Sequence, residues 1–228
     1  MVIVIPVYDD DPALARLLDQ FESIFNDHGG TSFHTELIVV DGMPLASTQK
    51  ISRTHNVTYR TSERGRGNQI VAGLKDTRAD WAWVVHADSD INRAALLELQ
   101  SLIAVGQPKW GRFNVEIEGL GWLSFMMNLR SRQTQICTGD QAMFFHTRLL
   151  ADIGGFPEQP LMEDIEVSRR LKKSCHRCFV ALNERIQTSP RRWREQGTVK
   201  TVLLMWWFRG QYWIGVSASR LYQKYYRQ

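Results

Sequence analysis

The chain has 228 residues, of which 43% are hydrophobic and 23% charged. These values are ordinary for a folded protein and exclude an intrinsically disordered or fibrous class. The net charge of +4 is unevenly spread, because residues 185–228 hold nine Lys and Arg against one Glu. This local balance of +8 leaves −4 for the first 184 residues. Such a basic tail either meets phosphates, lipid head groups or an acidic partner, or is a solvated helix face.

The first part of the chain alternates predicted strands with predicted helices. A β-branched run over residues 2–7 predicts a strand buried on both faces. Asp11 and Pro12 suit a helix start, and the leucines that follow predict a helix through residue 25. Further strands are predicted at 36–41, 57–59 and 81–86, and further helices at 46–53 and 67–77. This alternation predicts one α/β domain with a mostly parallel sheet, whose ligands lie at the carboxyl ends of the strands.

Beyond residue 105 the pattern is less regular. We predict strands near 110–117 and 141–145, helices near 120–131 and 162–172, and one long helix over 197–222. Residues 201–208 of that last helix are apolar nearly all round, so we expect burial against the domain core, a second subunit of a homodimer or a membrane surface. The segment is too short to span a bilayer. The predicted division is a catalytic domain over 1–194 and a basic, Trp-rich helical extension over 195–228.

Cysteine usage bears on the cellular compartment. The chain has three cysteines, and its N-terminus enters a strand without resembling a signal peptide. We therefore expect a reducing, cytoplasmic environment, either in solution or at the inner face of the membrane. Cys175 and Cys178 have the spacing of a metal-binding pair, but no second pair completes a tetrahedral site. All three cysteines are predicted to be structural thiols.

Polar side chains follow three of the predicted strands, at Tyr8, Asp41, Asp88 and Asp90. Asp88 and Asp90 are carboxylates one residue apart, which suits a divalent cation such as Mn²⁺ or Mg²⁺, although Asp-Ser-Asp is also an ordinary turn. Such a cation would neutralise a diphosphate leaving group. The first strand is not followed by the glycine-rich loops of dinucleotide-binding folds or P-loop enzymes. Tyr8 stands there instead, with a ring that can stack on a base.

Three segments, VIPVY at 4–8, VVDG at 39–42 and HAD at 86–88, resemble family-2 glycosyltransferases of the GT-A fold in order and spacing. Later landmarks extend the resemblance to residue 193, among them RGRGNQ at 64–69 and GGF at 154–156. Within the family, TGDQ at 138–141 and PLMED at 160–164 resemble a short-chain subgroup.

The resemblance implies an inverting, metal-dependent transfer of a sugar from a nucleotide-sugar donor. It implies that Tyr8 and Asp41 grip the base, that Asp88 binds the metal, and that Asp164 is the general base. There are two departures, because His86 stands where the family has an aspartate and Asp90 is not a position that the family supports. The predicted nucleotide-sugar site comprises Pro6, Val7, Tyr8, Asp41, Arg66 and Asp88.

Other residues are predicted from their setting. Arg66 precedes a helix, where its charge and the free backbone N–H groups suit a phosphate. Asp140 and Glu163 are predicted on the acceptor side. Arg192 and Trp193 match half of the Gln-x-x-Arg-Trp motif of processive members, and they either contact the diphosphate and the acceptor or belong to an exposed basic loop.

Two alternatives to the transferase are open from the sequence. A sugar-phosphate nucleotidyltransferase should carry a glycine-rich loop after the first strand, which this chain lacks. A catalytically inactive membrane or nucleotide-binding adaptor on the same fold would need only the tail, and the carboxylates at Asp88 and Asp164 argue against it. The acceptor, whether a lipid, a saccharide or a small molecule, is not identified, and no nucleic-acid partner is expected.

Overall fold

The computed structural model describes residues 1–26, 34–189 and 197–226. The strands of this part of the chain are β1 (Val2–Val7), β2 (Glu36–Asp41), β3 (Thr58–Thr61), β4 (Trp81–Val84), β5 (Ser89–Asp90), β6 (Trp110–Ile117), β7 (Phe144–His146) and β8 (Phe179–Thr188). Its α-helices are α1 (Asp11–Asn26), α2 (Ala46–Thr54), α3 (Arg66–Leu74), α4 (Arg93–Ala104), α5 (Gly121–Thr134), α6 (Thr147–Asp152), α7 (Glu163–Ser174), α8 (Thr198–Trp213) and α9 (Ala218–Tyr226).

The strands form one sheet in the order β3-β2-β1-β4-β7-β6-β8-β5. Strands β3, β2, β1 and β4 run parallel, as do β6 and β8, whereas β7 is antiparallel to both of its neighbours and β5 is antiparallel to β8. The predicted α/β class with a mostly parallel sheet is confirmed. The carboxyl ends of β1, β2 and β4 lie side by side.

The alternation of side chains along β1 explains why helices cover both faces of the sheet. Ile3 and Ile5 join the main core with residues of α1 and α4. Val2 and Val4 face the other way and pack with apolar residues of α3. All six residues of β1 are buried, as expected for a central parallel strand covered on both sides.

Two long elements were not predicted from the sequence. Helix α4 begins after Asn92, whose side-chain oxygen accepts a hydrogen bond of 2.8 Å from the N–H of Ala95. Strand β8 lies between β6 and β5, with Leu182 and Ile186 buried in the main core. The short elements β5 and α6 were also missed.

The predicted strand over 141–145 is wrong in its first half. Gly139–Gln141 forms a 3₁₀ turn, and the strand begins only at Phe144. The cause is a capping box, in which the Thr138 and Gln141 side chains each accept from the other's backbone N–H, followed by Ala142 in the left-handed region at φ 44°.

The predicted single tail helix is two helices. Gly215, at φ 94°, ends α8 after a turn in which the N–H of Val216 donates to the carbonyl of Gln211. This is a usual helix end, because glycine adopts a positive φ at little cost. Phe208 and Leu221 are buried, so both tail helices pack on the protein. The predicted boundary at 194/195 lies outside the described residues.

Cys175 and Cys178 are joined by a disulfide, so the prediction that these two are free thiols is wrong. Cys137 is free and buried. No helix in the described part of the chain combines the length and the apolar character that a membrane span requires.

Helix α8 is tied to α7 through Glu166. The Tyr212 hydroxyl donates to Glu166 Oε2 at 2.9 Å, and Arg169 and Arg170 donate to the same carboxylate. Burial alone would raise the pKa of Glu166. The hydrogen bonds have the opposite and larger effect, and they lower the pKa to about 2. The carboxylate therefore stabilises the folded state in its ionised form.

Acidification should remove this stabilisation. A depressed pKa contributes stability that is complete above the unfolded value of 4.5 and is lost as the pH falls towards about 2. We expect the wild type to lose roughly 2 kcal/mol more than Glu166→Gln between pH 6 and pH 3. Urea denaturation of both proteins measures the difference, and parallel pH profiles would refute the role given to Glu166.

Candidate active site

The sequence-predicted carboxylates meet around Arg66, the first residue of α3. The Arg66 side chain is exposed. Partial loss of water around its guanidinium would by itself lower the pKa of the group. The charges of Asp140, Glu163, Asp88 and Asp164 outweigh this effect and raise the pKa. Four carboxylates from three segments of the chain thus lie close to one arginine, at the carboxyl-end edge of the parallel strands.

Glycines bring the start of α3 against the loop that precedes α7. A Cβ atom on Gly67 would lie 2.3 Å from the carbonyl oxygen of Gln159, and Gly65 has a φ of 132°. Only glycine allows both the close approach and this backbone conformation. The sequence motif that precedes α3 therefore serves to place Arg66 beside the first residues of α7.

Gln69 ties α3 to the strand ends, a role that the sequence analysis missed. Its Nε2 donates to the carbonyl of Val7 at 2.6 Å and to the carbonyl of Val40 at 2.9 Å. The side chain fills the space in which a Cβ atom of Gly42 would lie. Its buried amide follows Arg66 by three residues in the same motif, which is the signal that could have indicated it.

Asp164 is the second residue of α7 and is held by backbone N–H groups. Its Oδ2 accepts a hydrogen bond of 3.0 Å from the N–H of Gly139, and its Oδ1 accepts one of 2.8 Å from the N–H of Ile165. A helix N-terminus favours negative charge through its free N–H groups. The carboxylate is half-buried, so it is oriented by the backbone yet accessible to a ligand.

Glu163 differs from its neighbour in burial. Its side chain is buried, with 4% of the residue exposed. Burial raises the pKa of Glu163, the charge of Asp164 raises it further, and the Arg66 guanidinium opposes the change. Glu163 therefore holds a proton at higher pH than an ordinary glutamate does.

His86 and Asp140 also lie near Asp164. His86 Nδ1 is 3.6 Å from Asp140 Oδ1, and the imidazole is buried. A Cβ atom on Gly139 would lie 2.4 Å from His86 Cε1. The glycine of the TGDQ motif thus lets the histidine ring reach Asp140, and His86 lies next to a site residue rather than only in the core.

The backbone is strained at three places near the site. Of the six described residues other than glycine with a positive φ, Asp9, Ala142 and Met162 are the three near the site, with values of 48°, 44° and 63°. Asp9 follows Tyr8, and Met162 directly precedes Glu163 at the start of α7. Such conformations cost about 1–3 kcal/mol each and tend to cluster where function requires a fixed geometry.

The predicted base-binding residues lie at the ends of β1 and β2. Pro6 and Val7 are buried in β1, whereas Tyr8 is 39% exposed and has the Arg64 guanidinium stacked 4.4 Å from its ring centroid. The Asp41 carboxylate accepts hydrogen bonds from the N–H groups of Met43 and Leu45.

The Tyr59 hydroxyl also donates to Asp41, at 3.0 Å. Burial and the hydrogen bond to Asp41 together raise the pKa of Tyr59 to about 12. Asp41 is thus a buried acceptor with three internal donors. Neither Tyr59 nor Arg64 was assigned a role from the sequence.

The two predicted metal ligands have different surroundings. Asp88 is half-buried beside Arg66, whereas Asp90 is exposed and its Oδ1 accepts from Gln20 Nε2 of α1 at 2.9 Å. Within the described ranges, the one group with three ligand atoms within 4.8 Å of one another is Asp19, Glu22 and His55. Glu22 and His55 line a surface depression with Glu36, the first residue of β2. That group therefore lies at the opposite edge of the sheet.

A chamber opens beside Asp164, between α5 and α8. Arg66, Asp140, Glu163 and Asp164 line one part of it, and apolar side chains of both helices line the rest. We call this space the α5–α8 chamber. Arg192 and Trp193, predicted for the acceptor side, lie outside the described residues.

Comparison with solved structures identifies the fold. The chain superposes on S. aureus TarS 1-349 in complex with UDP-GlcNAc with a TM-score of 0.65 and 18% identity, over 82% of this chain and 58% of that one. For mannosyl-3-phosphoglycerate synthase from Rubrobacter xylanophilus, the TM-score is 0.65 and the identity 13%, over 94% of this chain and 74% of that one. For glucosyl-3-phosphoglycerate synthase from Mycobacterium tuberculosis, in complex with Mn²⁺, UDP and glucosyl-3-phosphoglycerate, the TM-score is 0.60 and the identity 14%. The match covers 81% of this chain and 69% of that one. The chain thus spans less than two thirds of the TarS structure.

The likeness to these structures shows the GT-A fold. The model of glycosyl transferase family 2 matches residues 2–147, and the chain belongs to that family. The predicted enzyme class and fold are both confirmed. A search of curated proteins finds no match to the chain.

Proposed function

We propose that the protein is an inverting, metal-dependent glycosyltransferase that moves a sugar from a nucleotide-sugar donor to an acceptor hydroxyl. The observation that carries the proposal is the Asp164 carboxylate, held by two backbone N–H groups beside Arg66 and Asp88. One carboxylate on the acceptor side is what a single displacement needs. The family membership favours this activity over nucleotidyl transfer.

Asp164 acts as the general base. One of its oxygens takes the proton of the acceptor hydroxyl as that hydroxyl's oxygen attacks the anomeric carbon, while the bond from that carbon to the diphosphate breaks. Asp164 is preferred to Glu163 because its carboxylate is half-buried, whereas Glu163 is buried and retains a proton to higher pH. The Gly139 and Ile165 N–H groups keep the base oriented.

The donor's diphosphate lies against Arg66 and Asp88. The carboxylates around Arg66 outnumber it, so a dianionic or trianionic diphosphate requires additional positive charge there. Asp88 belongs to no group of three ligand side chains in the described part of the chain, which fits Mg²⁺ or Mn²⁺, since these ions are commonly held by one or two carboxylates and substrate phosphates. Such an ion, when bound by Asp88, would neutralise the leaving diphosphate. The Mycobacterium tuberculosis structure with Mn²⁺ and UDP supports this assignment.

The nucleotide base lies at Tyr8 and Asp41, next to Pro6 and Val7 at the carboxyl end of β1. Tyr8 offers a ring that Arg64 already contacts, and Asp41 offers acceptor oxygens fixed by Tyr59. The UDP and UDP-GlcNAc complexes of TarS make a uridine nucleotide the first choice to test.

A screen of nucleotides tests the proposed donor site. Ligands that bind the native state raise its melting temperature. We expect one of UDP, GDP or dTDP to raise Tm in the presence of Mn²⁺ and to have little effect in EDTA. If all of these nucleotides leave Tm unchanged in Mn²⁺, the protein does not use these donors at this site.

A further inference from the structure

The α5–α8 chamber is amphipathic, with its polar part at the proposed base. Asp140, Glu163 and Asp164 are at one end, and Phe208, which is 1% exposed, is among the apolar residues that α8 contributes. An acceptor whose hydroxyl reaches Asp164 has the rest of its structure in this chamber. The lining of the chamber therefore indicates the chemistry of the acceptor.

The apolar part of the chamber is a packed wall. Leu123 and Met127 are one turn apart on α5, and Val202 and Met205 of α8 pack into the same cluster. All four side chains line the chamber. A sugar or a phosphoglycerate placed against this wall would lose water from its hydroxyl groups without gaining hydrogen-bond partners there. An aliphatic chain would instead gain from the contact.

The chamber reaches the surface at Trp206. This side chain lines the chamber and is nevertheless 65% exposed. The same two helices carry further exposed apolar side chains. We call six of the exposed apolar residues on α5 and α8 the apolar rim, which consists of Trp122, Phe125 and Met126 of α5 and Leu203, Trp206 and Trp207 of α8. Large exposed apolar patches mark binding sites for proteins or membranes.

Basic side chains lie near the apolar rim and at one part of the chamber lining. Lys224 Nζ of α9 lies 5.6 Å from the ring centroid of Trp207. Arg209 lines the chamber, and burial followed by the charge of Arg209 lowers the pKa of Arg130 to about 10. Tryptophan and basic side chains together are typical of surfaces that bind anionic membranes. The charge thus favours an anionic bilayer over a second, equally basic copy of this chain.

We propose that the acceptor is an amphiphile with an aliphatic chain and an anionic head group, taken from a bilayer surface on which the apolar rim lies. Its chain occupies the apolar part of the α5–α8 chamber, and its hydroxyl reaches Asp164. The proposal rests on the proposed transferase function, because it names the acceptor of the same site.

Vesicle binding tests the rim. Full-length protein is sedimented with vesicles of phosphatidylcholine alone or with phosphatidylglycerol added. We expect binding to the anionic vesicles, weakened by salt. The double change Phe125→Ser and Trp206→Ser should reduce the partition coefficient by about tenfold or more. Leu97→Ser is the matched control, since Leu97 is 43% exposed on α4 and lies outside the rim.

Calorimetry with two soluble probes tests the chamber. In the presence of UDP and Mg²⁺, dodecyl phosphate below its micellar concentration should bind about tenfold or more tightly than butyl phosphate. The partly buried Met205, changed to Arg, should abolish this preference while UDP still binds. Equal affinity for the two probes would contradict the aliphatic acceptor.

The outcomes separate this proposal from the function on which it rests. Absence of UDP binding refutes the donor site, whereas UDP binding without vesicle binding refutes the membrane acceptor alone. Dodecyl phosphate binding without vesicle binding would assign a free amphiphile and overturn the bilayer as its source. A shift of the monomer–dimer equilibrium by the rim variant, seen by sedimentation velocity with no change in vesicle binding, would make the rim a subunit interface instead.

Discussion

Replacing Asp164 by asparagine is expected to lower the rate of sugar transfer by about 10²–10⁴-fold, the usual contribution of a positioned general base. Asparagine is nearly isosteric, and its single carbonyl oxygen can still accept the N–H of Gly139, although the bond from the Ile165 N–H is lost. The helix start should therefore keep its geometry while losing the group that takes the proton. Donor affinity should change little, because Asp164 acts on the acceptor side.

Single-turnover rates of donor hydrolysis measure this effect before the acceptor is known, because water then takes the acceptor's place. Glu163→Gln is the matched control. It changes the neighbouring carboxylate, which is buried and has a raised pKa, and we expect less than about a tenfold effect on the rate. If Glu163→Gln is the crippling change and Asp164→Asn is mild, the base has been assigned to the wrong residue.

Changing Asp88 to alanine is expected to abolish the part of donor affinity that depends on Mn²⁺. Loss of a direct ligand should weaken metal-dependent nucleotide binding by about 100-fold or more, since even outer ligands contribute 10–100-fold. Asp88 is half-buried and follows β4, so the fold should survive the change. Calorimetric titration of UDP in Mn²⁺ and in EDTA measures both components.

Two control variants separate this site from the other carboxylates. Asp90→Ala removes a side chain that binds Gln20, and Asp19→Ala removes a member of the exposed group at the opposite edge of the sheet. Neither should alter the Mn²⁺ dependence. Equal affinity in Mn²⁺ and EDTA for the wild type would contradict the metal assignment, and loss of metal dependence in Asp90→Ala would restore the paired-ligand hypothesis.

The fold was predictable where local pattern and tertiary context agree. The β-branched run of β1 is buried on both faces, so its composition alone predicts its place in the sheet. Strand β8 was missed because it is stabilised by pairing with β6 and β5, strands that are far away in sequence. The break at Gly215 was missed because the apolar pattern continues on both sides of it.

The site was predictable at its motif residues and less so at the residues that support them. Asp88, Asp164 and Arg66 lie close together, because each is at or near the end of an element at the same sheet edge. Asp90 accepts a hydrogen bond from Gln20, a contact that depends on how α1 packs against β5. The roles of Gln69 and Tyr59 are contacts between elements, and sequence spacing does not report such contacts.

The chamber was outside the reach of sequence patterns. The apolar run of α8 indicated burial, yet Trp206 is largely exposed and lines a cavity with residues of α5 and α7. The hydrogen bond between Tyr212 and Glu166 helps to set which face of α8 packs on the rest of the protein. That contact joins residues 46 positions apart in the chain.

The most direct test of the central claim is the anomeric configuration of the first product. Real-time ¹H NMR of the wild-type protein with Mg²⁺ and the nucleotide sugar selected by the thermal screen follows the released sugar before it mutarotates. A single displacement with Asp164 as base predicts that the first sugar released has the anomeric configuration opposite to that of the donor. Release of sugar with the donor's own configuration would contradict the inverting mechanism and the role of Asp164 within it.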